Sequence, residues 1–327
     1  MESESEVHIL KKTSFLFRRF LILVFLPFLF VSCANIGFYQ LLFGEDDVDE
    51  RYSGFLNLSS SGLSPVLSPG SDGKYSFIVV TDIHIGADDV GASKINDFLL
   101  ELSVLFSSDS QILVPRFIIN LGDTGDGGHA SEYAKFNRYF GDGGIIQNLA
   151  KDKGVVEKTS DFKIYSVLGN HDLYNNGWTN WKKAVWPYTS TYYFSVSTMS
   201  DSKCVPFSFY FLDTGNGSMG KSQTDGFEKL LKADQNPKLI FAHYPFYSDG
   251  TPFMAIEDTA ERNYFLALLE KNKAAGLFGG HVHTNFKKDI GSFEQINTAA
   301  LFKNGYFRLV TVDEKNSKVI SSKLVKF

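Results

Sequence analysis

The chain has 327 residues, of which 43% are hydrophobic and 15% aromatic, so it can bury a sizeable core in one large domain or two small ones. Its formal charge of −5 argues against a general binder of nucleic acids or anionic membranes, since such proteins carry basic faces. The only two cysteines, Cys33 and Cys204, exclude a disulfide framework and argue against a zinc site built from thiolates.

The amino terminus has the pattern of a targeting segment. A basic stretch comes before an apolar run over residues 20–31, which is interrupted only by Pro27. The basic residues are Lys11, Lys12, Arg18 and Arg19. The run is shorter than the ~20 residues needed to span a bilayer. We therefore predict that residues 1–32 form a signal peptide that takes no part in the fold.

The apolar run ends at Phe30-Val31-Ser32-Cys33, which resembles the lipobox of bacterial lipoproteins, although its first position departs from the usual Leu. The resemblance implies that the signal is cut before Cys33 and that the Cys33 thiol carries the lipid. The protein would then be exported and membrane-anchored, on the periplasmic or surface side. An uncleaved anchor and an ordinary cleaved signal are the alternatives, and both also export the domain.

Residues 33–74 are predicted to form a lipidated, flexible tether. Residues 45–50 are mostly acidic, and the stretch that follows up to residue 73 is dominated by Ser, Gly and Pro. Segments of this composition bury little apolar surface and stay flexible. The folded domain is therefore expected to span residues 75–327.

Apolar segments in that domain alternate between strand and helix patterns. Strands are predicted at residues 75–80, 116–121, 163–167, 207–212, 238–242 and 276–278. Apolar residues spaced for one buried face predict helices around residues 95–106, 133–140 and 263–271. Residues 306–312 and 318–325 resemble a closing hairpin, and the strand-rich tail suggests a second sheet packed on the first. This alternation is typical of α/β layering.

Carboxylate, amide and imidazole side chains follow the predicted strands at their carboxyl ends. The segments are Asp82-Ile83-His84, Gly122-Asp123, Gly169-Asn170-His171-Asp172, His243 and Gly280-His281-Val282-His283. Open α/β sheets bind ligands at this edge. In an extended segment, Asp82 and His84 would lie on one face because side chains alternate, and His281 and His283 share this spacing. Mixed imidazole and carboxylate ligands suit Zn, Mn or Fe.

The ordered series resembles the motifs of the calcineurin-like metallophosphoesterase family, from residue 75 to about residue 325. The fold implied by the resemblance is α/β: a four-layered α/β/β/α sandwich with a dinuclear metal site at the carboxyl ends of its strands. Carried over position by position, the implied ligands are Asp82, His84 and His283 for the first metal, Asn170, His243 and His281 for the second, and Asp123 as the bridge.

The same resemblance gives His171 a catalytic role, either contacting the phosphoryl oxygen or protonating the leaving group, with Asp126 orienting it. A carboxylate beside a histidine favours the cationic form that a general acid requires. Asp172 is interpreted as an orienting or helix-starting residue rather than a ligand. Purple acid phosphatases are disfavoured, since they lack the first histidine and place a metal-bound tyrosine where Asp126 stands, whereas His84 is present here.

A water shared by two such metals would have its pKa lowered from ~15.7 to about 7 and would attack phosphorus in line with the leaving oxygen. The resemblance thus implies a hydrolase of phosphomonoesters or phosphodiesters with two divalent metal ions and a membrane contact through the lipid anchor. Two alternatives remain open. One is a non-catalytic surface lipoprotein that binds a phosphorylated ligand or host protein, and the other is a metal-dependent hydrolase of other bonds.

Aromatic residues that follow the third motif have two interpretations. They could wall a substrate pocket, but the helical spacing of Trp178, Trp181 and Val185 favours a buried stripe. His129 is expected on a solvent-exposed loop, and Cys204 is expected to be an inert thiol.

Overall fold

The computed structural model describes residues 47–67, 72–88, 90–110, 113–198, 204–251 and 253–327, which all belong to one unit, Glu45–Phe327. The predicted signal peptide (residues 1–32) and the predicted lipidation site Cys33 lie outside the described residues, so both stay predictions. Within the described ranges, no helix is both long and apolar enough to cross a membrane.

Strands and helices alternate along the described chain, as predicted for an α/β fold. The helices are α1 Val48–Arg51, α2 Ala92–Phe106, α3 Ala130–Phe140, α4 Ile145–Asp152, α5 Gly177–Ala184, α6 Lys221–Ala233, α7 Thr259–Lys271 and α8 Leu301–Asn304. The strands are β1 Leu56–Asn57, β2 Lys74–Val80, β3 Pro115–Asn120, β4 Ile164–Ser166, β5 Tyr192–Val196, β6 Phe207–Phe211, β7 Lys238–Phe241, β8 Ala274–Gly279, β9 Phe286–Ile290, β10 Phe293–Asn297, β11 Tyr306–Asp313 and β12 Lys318–Lys326. Short 3-10 segments cover Thr159–Asp161 and His171–Asn176.

The strands form two sheets. One has seven strands in the order β1-β5-β6-β7-β8-β10-β9, and the other has five in the order β12-β11-β2-β3-β4. Neighbours β2, β3 and β4 are parallel, and so are β6, β7, β8 and β10. Parallel strands bring their carboxyl ends to one edge of a sheet, where the connecting loops can assemble a site.

A layer of aromatic side chains joins the two sheets. Phe77 of β2 and Phe117 of β3 stack with ring centroids 5.1 Å apart. Both meet the Phe209 ring of β6, at 5.5 and 5.6 Å respectively. All three rings are fully buried. Because these strands are covered on both faces, nearly every residue of β2 and β3 is buried.

Helices cover the outer face of each sheet. On the five-stranded sheet, Ile118 of β3 belongs to a buried cluster with Phe98 of α2. On the seven-stranded sheet, Ile240 of β7 clusters with Phe227 of α6 and Phe265 of α7. The order is helix, sheet, sheet, helix, so the predicted four-layered α/β/β/α sandwich is confirmed.

The prediction of a flexible tether is wrong for the stretch that begins at residue 47. Helix α1 starts with a capping box between Asp47 and Glu50, and Val48 is buried. Strand β1 pairs in parallel with β5, and Leu58 next to it is fully buried. A few apolar residues suffice here because they add to an existing sheet edge and need no core of their own.

The prediction that the tail builds the second sheet is wrong for its last two strands. The hairpin of β11 and β12 is present, but β11 pairs antiparallel with β2 and so extends the five-stranded sheet. Strand β3 occupies only one side of β2, which leaves the other side for β11. The second sheet consists of β1 and β5 to β10 instead.

Candidate metal centre

The predicted ligands lie on loops that leave the carboxyl ends of strands in both sheets. Strands β2, β3 and β4 lead to Asp82, Asp123 and Asn170, whereas β7 and β8 lead to His243 and His281. The centre therefore straddles the two sheets. Its geometry depends on the aromatic layer that holds the sheets together.

Several of these residues have left-handed backbone conformations. The φ angle is +50° at Asp82 and +48° at His84, and it is +65° at His281 and +59° at His283. Residues other than glycine rarely adopt such angles, and the strain they carry clusters at functional sites. A neighbouring loop holds the conformation, since the His84 N–H donates to the Asp123 carbonyl at 2.9 Å. The prediction that both short motifs are extended is wrong, and tight turns bring their side chains together instead.

Asp82, His84, Asp123 and His283 form a first group of converging donor atoms. The Nε2 atom of His283 lies 3.3 Å from Asp82 Oδ1 and 3.2 Å from His84 Nε2. His84 Nε2 is also 3.7 Å from Asp123 Oδ2. The fully buried Asp82 accepts a hydrogen bond from Thr81 through Oδ2, at 2.7 Å, but its Oδ1 has no hydrogen-bond partner. A buried carboxylate oxygen without a partner is costly, so this atom calls for a ligand.

Asp123, His243 and His281 form a second group, so Asp123 belongs to both groups. The Nε2 atom of His243 lies 3.4 Å from Asp123 Oδ2 and 3.0 Å from the side-chain oxygen of Asn170. His243 Nδ1 donates to the Leu121 carbonyl at 2.8 Å, which aims Nε2 at the centre. The structure thus brings all seven predicted ligands together, and their roles as ligands stay predictions.

Burial and charge shift the pKa values of this cluster in opposite directions. Burial alone would raise the pKa of Asp123, but the neighbouring His243 holds it well below its usual range. Burial also opposes protonation of His243, yet the Asp123 carboxylate raises the pKa of His243 to about 9. Burial, followed by the charge of His243, lowers the pKa of His281 to about 3. Asp123 and His281 are therefore in their metal-binding forms, whereas His243 has to release a proton when a cation binds.

The donor set fits a pair of divalent cations. Burial lowers the pKa of His84 and favours its neutral ring, and because Nδ1 donates to Asp126 Oδ1, 3.1 Å away, Nε2 carries the lone pair. His283 Nε2 lies 3.2 Å from this atom and 3.3 Å from Asp82 Oδ1, which has no hydrogen-bond partner. A cation among them would satisfy all three. Imidazole, carboxylate and amide ligands suit Zn, Mn or Fe and do not select among them.

His171, the predicted catalytic residue, lies beside both groups. Its backbone N–H donates to Asp123 Oδ1 at 2.8 Å, and its ring meets the His84 ring edge-on at a centroid distance of 4.5 Å. Its Nδ1 donates to the backbone oxygen of Asp126 at 2.7 Å, whereas the Asp126 carboxylate is 3.8 Å away. That carboxylate is closer to His84. Asp126 therefore contacts His171 as predicted, although its carbonyl lies closer to the ring than its carboxylate does, and the catalytic roles of both residues stay predictions.

Asp172 joins the loops of the second and third motifs. Its fully buried carboxylate accepts from the backbone N–H groups of Thr124, Gly125 and Gly169 at 3.2, 3.1 and 3.0 Å. The Tyr133 hydroxyl also donates to it, at 3.2 Å. Burial, assisted by a neighbouring carboxylate, raises the pKa of Asp172 to about 7, although the three N–H donors oppose the rise. These contacts agree with the prediction of an orienting residue rather than a ligand.

Two tyrosines contact the predicted ligands, although no sequence pattern assigns them a role. The Tyr174 hydroxyl accepts from Asn170 Nδ2 at 3.2 Å, and its ring lies 4.6 Å from the His171 ring. The Tyr244 ring stacks on the His281 ring with centroids 3.7 Å apart. In the sequence they are marked only by their positions, since Tyr174 comes two residues after Asp172 and Tyr244 directly follows His243.

The residues with two possible interpretations in the sequence have structural positions rather than places in a substrate pocket. Trp181 and Val185 are fully buried in the core, and Trp178 packs against them, so the buried stripe is confirmed. His129 is exposed at the start of α3, as expected. Cys204 is a free, partly buried cysteine.

Comparisons with known proteins bear on the family of the sequence and on the fold. A sequence model described as calcineurin-like phosphoesterase matches residues 75–285, a span that contains every predicted ligand. A dimetal phosphatase from Danio rerio has the same fold, with 12% identity, a TM-score of 0.51, and coverage of 78% of this chain and 100% of that one. GAP50, the anchor in the inner membrane complex of Plasmodium, is 15% identical with a TM-score of 0.50, covering 78% of this chain and 89% of that one. At these identities the likeness shows the fold alone. No curated protein matches the chain.

Proposed function

The chain belongs to the calcineurin-like phosphoesterase family, and we propose that it hydrolyses phosphomonoesters or phosphodiesters with two divalent cations bound at this centre. The observation that carries the proposal is the position of Asp123, which is shared by two groups of donor atoms. One anionic ligand between two cations offsets their repulsion at the ~3.5–4 Å separation usual for two-metal hydrolases. The proposed ligands are Asp82, His84 and His283 for one cation, and Asn170, His243 and His281 for the other.

Residues of the chain itself fix the reacting geometry. When bound, the two cations would lower the pKa of a water molecule and offset charge on the phosphoryl oxygens. Asp123 Oδ1 accepts the backbone N–H of His171, so the shared ligand and His171 hold a fixed mutual position. Because His171 Nδ1 is engaged by the Asp126 carbonyl, its Nε2 is the atom left to contact a phosphoryl oxygen or to protonate the leaving oxygen.

The proposed activity is tested by adding Mn, Zn or Fe to metal-free protein. Turnover of a panel of chromogenic phosphomonoesters and phosphodiesters is then measured. We expect turnover of at least one class with at least one metal, and none by the Asp123→Asn variant. Asp109→Asn, at an exposed position outside the centre, is the matched control and should keep full activity. Unaltered turnover by Asp123→Asn would refute the proposal. Binding of a phosphoester by metal-loaded protein without any turnover would favour the non-catalytic alternative.

We further propose that the domain is exported and tethered to a membrane through Cys33. The support is the basic and apolar pattern of residues 1–32 followed by a cysteine after a small residue. The first described helix, α1, starts at Val48, so residues 34–47 would lie between it and the lipid along the chain. Labelling cells with an alkynyl fatty acid should mark the wild type and not Cys33→Ser. A mature protein that retains residues 1–32 by mass spectrometry would show an uncleaved anchor instead.

A further inference from the structure

Arg51 forms a buried ion pair with a distant part of the chain. We call residues 47–58, which contain α1 and β1, the N-terminal strap. Arg51 Nε and Nη2 both donate to Asp213, each at 2.8 Å from a different carboxylate oxygen. Nη2 also lies 2.5 Å from Asn216 Oδ1. The Arg51 and Asp213 side chains are 0% and 2% exposed, so the pair is shielded from water and from screening by salt.

The loop that Arg51 holds follows β6 and reaches the second group of predicted ligands. Thr214, next to Asp213, accepts the backbone N–H of Tyr244 through its hydroxyl oxygen at 2.9 Å. Gly217 also approaches Tyr244, since a Cβ built on it would lie 3.4 Å from the tyrosine ring. That ring stacks on His281. A shift of this loop would therefore be transmitted to the imidazole of His281.

The same loop also packs against the segment that carries Asn170. A Cβ built on Gly215 would lie 3.3 Å from the Gly169 carbonyl oxygen and 3.1 Å from the Leu173 side chain. The Gly215 N–H donates to Asp213 Oδ1 at 3.1 Å, so the carboxylate that binds Arg51 also shapes the loop. The loop thus contacts the neighbours of two of the three ligands proposed for the second cation: Gly169 and Leu173 on either side of Asn170, and Tyr244, which stacks on His281.

We propose that Arg51 is a positioning residue for the half of the metal centre formed by Asn170, His243 and His281. It acts by clamping the loop of residues 212–217 against both supports of that half. A planar guanidinium can hold both oxygens of Asp213 and Asn216 together, whereas a lysine ammonium is a single point charge. The contacts of this loop named above go to Tyr244 and to the segment that carries Asn170, whereas the half formed by Asp82, His84 and His283 is linked to His281 by the hydrogen bond from the His281 N–H to Asp82 Oδ2, at 3.1 Å.

This inference rests on the proposed two-metal function, and its test reads metal binding as well as turnover. Mn²⁺ is titrated into the metal-free full chain by calorimetry, and the wild type is compared with Arg51→Lys and Asp213→Asn. His281→Ala identifies which binding step belongs to the second half. The matched control is Asp49→Ala in the same strap. Asp49 accepts from the backbone N–H groups of Lys221 and Ser222 at the start of α6 and does not touch the loop.

Residues that support metal ligands typically change affinity by about 10–100-fold when replaced. We therefore expect Arg51→Lys to weaken the step lost in His281→Ala by about tenfold, with the other step and Asp49→Ala unchanged. The inference would be overturned if Arg51→Lys weakened both Mn²⁺ binding steps equally, or if Asp49→Ala lost as much Mn²⁺ affinity. Either result would mean that the strap supports the whole domain and not one half of the centre. Normal binding by Arg51→Lys in an active enzyme would also overturn it while leaving the function intact. Two-step binding by a wild type that hydrolyses nothing would refute the function and leave the role of Arg51 standing.

Discussion

Gly122 offers a sharp test of how closely the metal centre is packed. It has a φ angle of +98°, and a Cβ built on it would lie 2.7 Å from the Gly169 nitrogen and 2.9 Å from His243 Nδ1. Gly122→Ala would therefore push apart the loops that carry Asp123, Asn170 and His243. Gly143 is the matched control. It also has positive φ, at +71°, but a Cβ there meets nothing within 4 Å.

Gly122→Ala is expected to lower the free energy of unfolding by more than Gly143→Ala does. Positive φ costs a residue with a Cβ about 1–2 kcal/mol, and this applies to both variants. At residue 122, overpacking adds about 1–3 kcal/mol, and loss of the His243 hydrogen bond to the Leu121 carbonyl adds about 1 kcal/mol. Gly122→Ala should therefore destabilise the protein by about 4 kcal/mol, and Gly143→Ala by about 1–2 kcal/mol.

Urea unfolding of the metal-free variants measures these free energies, and Mn²⁺ titration measures the effect on the centre. Binding geometry has to be held within about 0.5 Å, and the clash exceeds this, so Gly122→Ala should lose at least about tenfold in affinity. Gly143→Ala should bind metal as the wild type does. Equal destabilisation in the two variants, with unchanged Mn²⁺ affinity in Gly122→Ala, would refute the reasoning.

Three further outcomes follow from the contacts of single residues. His171→Ala should slow turnover by about 10²–10⁴-fold while metal content stays at the wild-type level, and loss of metal would make His171 a ligand instead. Asp126→Asn should weaken Mn²⁺ binding by about tenfold because its carboxylate orients His84, whereas slower turnover with intact binding would mean that it acts through His171. Burial raises the pKa of Glu261, so the native state binds this proton more tightly than the unfolded chain. The stability of the wild type relative to Glu261→Gln should therefore fall as the pH rises above about 4.3, and an unchanged or growing difference in urea unfolding would contradict this.

The sequence predicts the strands near the centre well because of their environment. Strands β2 and β3 are covered on both faces, so their apolar residues run nearly without a break and are read directly as strands. The identity of the predicted ligands is equally readable, since Asp82, Asp123 and His243 each follow such a run. Helix α6 is harder to read, because only Gln223, Phe227 and Leu231 are buried and the first of these three is polar.

Other features depend on distant contacts that no local pattern encodes. The N-terminal strap lies in a stretch predicted to be a tether, and distant contacts order it: Arg51 meets Asp213, 162 positions later, and β1 pairs with β5. The positive φ angles of Asp82 and His84 depend on hydrogen bonds to the loop after β3. The Asp126 carboxylate lies closer to His84 than to His171 because of the way its loop turns. The spacing of these residues along the chain does not encode that turn.

The most direct test of the central proposal is anomalous scattering from a crystal of the full folded domain grown with manganese. We expect two peaks about 3.5–4 Å apart, with Asp123 between them. The expected neighbours are Asp82, His84 and His283 for one peak, and Asn170, His243 and His281 for the other. A single peak, or an Asp123 carboxylate turned away from both cations, would contradict the account.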